Sequence, residues 1–128
     1  MAQIDKKILI VEDDKDFLWI LRQSFSGEGF TVVYALDGQE GMEKAEKEKP
    51  DLILSDILMP RMDGIAMIRE LKKKGISVKT IFLTNVKDAD RVSEAMESMA
   101  ELDYIVKSDV HVNAIIDRVK ERLGLLNK

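Results

Sequence analysis

The 128-residue chain has no cysteine, a single histidine, and no apolar run near the roughly 18 residues that cross a membrane. Without cysteine, disulfides and thiolate metal centres are excluded, which fits a reducing cytoplasmic setting. Residues 1–7 include basic side chains but no long apolar segment and no small-residue cleavage site, so no signal peptide is expected. The net charge of −4 comes without a basic stripe, which argues against a nucleic-acid surface. His111, the only imidazole, opens the last predicted helix and is expected on the surface. What remains is one domain spanning 1–128, long enough to bury a core without covalent staples.

Strand-like and helix-like segments alternate five times. Short apolar runs at 7–11, 31–35, 52–55, 78–83 and 102–106 read as strands. Helical spacing predicts helices at 14–26, 39–47, 64–74, 88–98 and 109–123, punctuated by Gly27, Gly29, Pro50 and Gly75. This alternation implies an α/β fold with a parallel sheet covered on both faces. The expected architecture is flavodoxin-like: a doubly wound five-stranded parallel sheet, order 2-1-3-4-5, with five helices. In that order the first and third strands flank the switch point, where ligands bind beyond the carboxyl ends of the strands.

Those two strands end in acid. Ile8-Leu9-Ile10-Val11 runs into Glu12-Asp13-Asp14, and Leu52-Ile53-Leu54-Ser55 delivers Asp56 to its own end. Asp14 suits a helix cap. Glu12, Asp13 and Asp56 together would repel one another, and a hard cation such as Mg²⁺ relieves that repulsion through oxygen ligands. A carboxylate can also attack phosphorus to give an acyl phosphate. Phosphoryl transfer asks for positioning and for charge on the equatorial oxygens to be neutralised. On this reading Asp56 is the nucleophile, Asp13 a direct metal ligand and Glu12 a ligand through water. Thr84 and Lys107, at the ends of the fourth and fifth strands, would hold the phosphoryl oxygens.

Together these segments carry a resemblance. Glu12-Asp13-Asp14 after its strand, Pro50-Asp51-Leu52-Ile53-Leu54-Ser55-Asp56, Met59-Pro60, Met62-Asp63-Gly64, Thr84 and Tyr104-Ile105-Val106-Lys107 stand in the order found in receiver domains of two-component response regulators. The chain resembles the stand-alone, chemotaxis type. The resemblance implies Mg²⁺-dependent acceptance of a phosphoryl group on Asp56 from a histidine kinase or histidine phosphotransfer protein. It implies a phosphoacceptor rather than an enzyme, with a downstream protein partner and neither nucleic acid nor membrane. In such families the metal also takes the backbone carbonyl two residues past the acceptor, here Leu58. Thr84 and Tyr104 would form a switch that reshapes the face built from the fourth helix, fifth strand and fifth helix. Since few residues follow the last predicted helix, no output domain is expected.

Three places in the chain depart from the family pattern. Ser108 follows Lys107 where proline is usual, so the bond between them is expected trans or as a strained cis, and restoring proline is expected to leave or improve phosphorylation. Asn85 replaces the small residue after the switch threonine, and Ala100-Glu101 replaces Gly-Ala before the fifth strand. A phosphatase of the haloacid-dehalogenase type would need an acid two residues past its nucleophile, where this chain has Leu58. A phosphorylation-independent interaction module with the same pocket is the remaining competitor.

Overall fold

Three aspartates start three helices in the computed structural model, which describes residues 3–85, 90, 93 and 102–126. Asp14 accepts from the amides of Asp16 and Phe17 and opens α1, Lys15–Gly27. Asp37 accepts from Glu40 N and opens α2, Gly38–Glu48; Asp63 accepts from Ala66 N and opens α3, Gly64–Lys73. Each side chain satisfies an amide that the first helical turn leaves without a partner. Helix α2 stops before Pro50 because proline bars its predecessor from the α region, and Lys49 turns left-handed at φ 49°.

Five strands, β1 (Lys7–Val11), β2 (Thr31–Ala35), β3 (Leu52–Asp56), β4 (Lys79–Thr84) and β5 (Leu102–Val106), form one all-parallel sheet in the order β2-β1-β3-β4-β5. The expected topology is therefore observed. Alternating side chains of each strand feed two separate cores, as a sheet covered on both faces requires. Leu9, Val11, Ile53 and Phe82 meet Met42 and Ala45 of α2 and Ile65, Met67 and Leu71 of α3. Ile8, Ile10, Leu52, Leu54, Ile81 and Leu83 meet Leu18, Leu21 and Phe25 of α1 and Ile115, Ile116 and Val119 of the C-terminal helix, Val112–Arg122.

Beyond one-residue shifts at several element ends, two features differ from expectation. The last helix begins at Val112, not at 109. Lys107–Asp109 forms a 3₁₀ turn, Val110 is extended at φ −134° and ψ 151°, and His111 caps the helix without a side-chain hydrogen bond. Four α-helices are described in place of the expected five: apart from Asp90 and Ser93, the helix expected over 88–98 lies outside the described residues, as does Ala100-Glu101.

Strand register sets the site. Val11 pairs with Ser55, Asp56 with Leu83, and Thr84 with Val106, so the carboxyl ends of β1, β3, β4 and β5 lie level along one edge of the sheet.

Candidate functional site

At that edge the carboxylates of Glu12, Asp13 and Asp56 each place an oxygen within 4.8 Å of the others. Their environments differ. Glu12 is buried at 1% exposure, Asp56 is half-buried, and Asp13 is open to solvent. Lys107 reaches across from the end of β5, and its Nζ donates to Glu12 Oε1 at 2.9 Å and to Asp56 Oδ2 at 3.2 Å. Glu12 Oε2 accepts from Asp14 N at 3.1 Å, and Asp56 Oδ1 accepts from Ile57 N at 2.8 Å. Both acids are thus held at both oxygens, and their rotation is fixed.

Burial, with the Asp56 charge adding to it, pushes the Glu12 carboxyl up to about 7, against the pull of Lys107. Burial lowers the Lys107 ammonium, but its hydrogen bond and charge contact with Glu12, and then those with Asp56, outweigh burial and raise it. One ammonium therefore does not neutralise the cluster. Oxygen-only donors with excess negative charge are the ligand chemistry of a small hard divalent cation, and the residues present fit Mg²⁺.

Thr84 is fully buried, with Oγ1 donating to the Asn85 carbonyl at 2.9 Å. Tyr104 is half-buried against the core beneath α2 and α3. Leu58 lies in the loop after Asp56 with its side chain 51% exposed. The Lys107–Ser108 bond is trans, as there is no cis peptide among the described residues.

Sequence reasoning missed three neighbours. Phe17 lies beneath Lys107, whose Nζ is 5.0 Å from the ring centroid. Ser55, buried beside the acceptor, donates from Oγ to the Asp56 carbonyl at 2.7 Å. Gly64 N donates to the Ile57 carbonyl at 2.8 Å, stitching α3 to the end of β3. The helical phase of Phe17 from α1 gave no sign of Lys107, which is far away in sequence. The only hint for Ser55 was its place in a short run that a sheet covered on both faces buries throughout.

Residues 8–120 match the sequence profile of the response regulator receiver domain. The chain belongs to that family. Among relatives of this receiver domain, the alkaline phosphatase synthesis transcriptional regulatory protein PhoP of Bacillus subtilis is 33% identical over 121 residues, covering 93% of this chain and 50% of the relative. Sporulation initiation phosphotransferase F of the same organism is 31% identical over 122 residues, covering 95% of this chain and 97% of that protein. The receiver domain superposes on a structure of the CheX-CheY-BeF3-Mg²⁺ complex from Borrelia burgdorferi with a TM-score of 0.82 at 27% identity, covering 94% of this chain and 90% of the other. The chain spans half or less of the length of the first transcriptional regulators it matches. No helix among the described residues is long and apolar enough to cross a membrane.

Proposed function

We propose that Asp56 accepts a phosphoryl group from a phosphohistidine donor, a histidine kinase or a phosphotransfer protein, in a cytoplasmic signalling step. The observation that carries this reading is the Lys107 ammonium held between Glu12 and Asp56, beside Asp13. An ammonium bridging two acids at the C-terminal edge of a parallel sheet is placed for anionic oxygens arriving at Asp56.

In the transfer, the phosphorus–nitrogen bond of the donor breaks as a phosphorus–oxygen bond to the Asp56 carboxylate forms. The Ile57 amide, bound to Oδ1 at 2.8 Å, holds the carboxylate plane during attack. Lys107 exchanges its 3.2 Å contact with Oδ2 for a phosphoryl oxygen and keeps its anchor on Glu12. Asp13, Asp56 and the Leu58 carbonyl would hold Mg²⁺, with Glu12 acting through water. When bound, the ion neutralises the carboxylates and the charge on the phosphoryl oxygens. This is acceptance at a single group rather than turnover of a free substrate, with self-phosphotransfer and autodephosphorylation as the only catalysis.

Thr84 would then turn its hydroxyl from the Asn85 carbonyl toward the phosphoryl oxygens. Tyr104 would follow inward, changing the face around β5 and the C-terminal helix for a protein partner. The BeF3 and Mg²⁺ in the Borrelia complex support the same ligand chemistry here. Intact-mass spectrometry after incubation with acetyl phosphate tests the reading. A single Mg²⁺-dependent phosphoryl adduct, absent in Asp56→Asn, is expected. An adduct that persists in Asp56→Asn overturns the assignment. No adduct from acetyl phosphate or from a phosphohistidine donor favours a binding module that works without phosphorylation.

A further inference from the structure

The loop between β3 and α3, residues 57–63, carries Leu58 and reaches across to the start of α2. Within it Arg61 has φ 67°, in the left-handed region, without being glycine. That conformation is unfavourable for a side-chain-bearing residue and persists where the surroundings over-determine it. The surroundings here are specific. Arg61 Nε donates to Asp37 Oδ2 at 3.0 Å, and Arg61 Nη2 donates to Asp37 Oδ1 at 3.1 Å.

Asp37 is itself immobilised. Its Oδ1 caps α2 by accepting from Glu40 N at 2.8 Å, and the Glu40 carboxylate reaches back to accept from Leu36 N at 2.8 Å. A second contact lies beside the first. A Cβ placed on Gly38 would stand 2.0 Å from the Met62 carbonyl oxygen, so the first residue of α2 lies flush against the loop backbone. A simple surface pair between flexible side chains contributes little and fixes nothing. Although the Arg61 side chain is 61% exposed, this pair differs in being a two-point fork onto a carboxylate that is only 17% exposed and already bound to a helix end.

We propose that Arg61 is a positioning residue: its fork on Asp37 latches the 57–63 loop to the start of α2 and so holds the Leu58 carbonyl in place for the cation beside Asp56. The role rests on the cation site proposed above. It couples α2, which contributes no ligand, to the site. Glycine alone at position 61 would satisfy the backbone but leave the loop unlatched.

Two variants separate the latch from the fold. Arg61→Gly adopts the left-handed conformation readily and removes the fork. Asp37→Asn keeps a helix-capping side chain and removes the charge. Amide hydrogen exchange across 57–63 and Mg²⁺ titration by calorimetry are read for both, with thermal unfolding as the check on folding. The expected result is a folded protein with faster loop exchange and Mg²⁺ affinity about three- to tenfold weaker, at the low end of what loss of an outer partner costs a metal site. The double variant is expected to be no weaker than either single one, since the two remove the same contact. Unchanged exchange and affinity in both variants, with the parent protein binding Mg²⁺, overturns the latch alone. A parent protein that binds no Mg²⁺ overturns the cation site, and the latch's role with it.

Discussion

Gly64 stands so close to Asp56 that a Cβ on the glycine would lie 2.2 Å from the acceptor's own carbonyl oxygen. Because the obstacle is backbone, the clash is relieved only if α3 moves away from the end of β3. Gly64→Ala is therefore expected to lower stability by about 1–3 kcal/mol, the usual cost of overpacking, and to slow phosphoryl acceptance at Asp56. Gly27→Ala, whose Cβ meets nothing within 4 Å at the end of α1, is the control and should be neutral or gain up to about 1 kcal/mol. Urea denaturation of both variants checks the contrast; equal effects would remove the special standing of Gly64.

Phe17 supports Lys107 from below, with the ammonium 5.0 Å from the ring centroid. A contact of this kind contributes about 0.5–1 kcal/mol, so Phe17→Leu should slow phosphorylation by roughly two- to fivefold. Mg²⁺ affinity should stay unchanged, because Phe17 offers no ligand. Single-turnover kinetics alongside a Mg²⁺ titration distinguish this from general loosening of α1, which would shift both.

The buried Glu12 gives the metal-free protein a defined pH dependence. Its folded pKa of about 7 exceeds the ordinary carboxyl value of 4.5, so the folded state binds the extra proton. The resulting stability is fully present below about pH 4.5 and is lost as pH rises toward and through 7, amounting to at most about 3 kcal/mol. Lys107, also raised, contributes stability that is lost only above its ordinary value of 10.5, outside this window. Asp37 is lowered despite burial, by the Glu40 amide and Arg61, so its contribution is lost only below 3.8. Urea midpoints in EDTA between pH 5 and 8 should fall for the parent relative to Glu12→Gln, with the difference levelling off above pH 7. Parallel curves would show that Glu12 titrates normally.

At Ser108 the local backbone argues for the sign opposite to the sequence expectation. From sequence, restoring proline after Lys107 is expected to leave or improve phosphorylation. In the structure Lys107 begins a 3₁₀ turn with Ser108 in its middle, and the bond between them is trans. Proline disfavours helical backbone in the residue before it. Ser108→Pro should therefore shift Lys107, lengthen its reach to Glu12 and Asp56, and reduce phosphoryl acceptance severalfold. A rate equal to or above the parent's would show that the turn adapts without moving the ammonium.

Local chemistry determined much of this protein. Apolar runs bounded by turn residues set five strands, and Asp14, Asp37 and Asp63 set the starts of α1, α2 and α3, since an N-cap acts only over its own first turn. The acids at the ends of β1 and β3 and the lysine after β5 were legible as one cluster because parallel topology brings strand ends together. Elsewhere local signals misled. The last helix was expected from 109 although its apolar face starts only at Val112, and the 3₁₀ turn that presents Lys107 occupies 107–109.

Tertiary structure decided what no local pattern encodes. Glu12 became the buried acid and Asp13 the open one, although they are adjacent, because successive residues at a strand end face different surroundings. Gly64 stood only as the start of a helix and the end of Met62-Asp63-Gly64, and Arg61 carried no signal of its own. The first proved to be a point of backbone contact and the second a fork on Asp37, since both partners come from other elements. The sequence names the groups able to do the chemistry; which of them are desolvated, and which hold the others still, depends on distances that arise only when the sheet and helices pack.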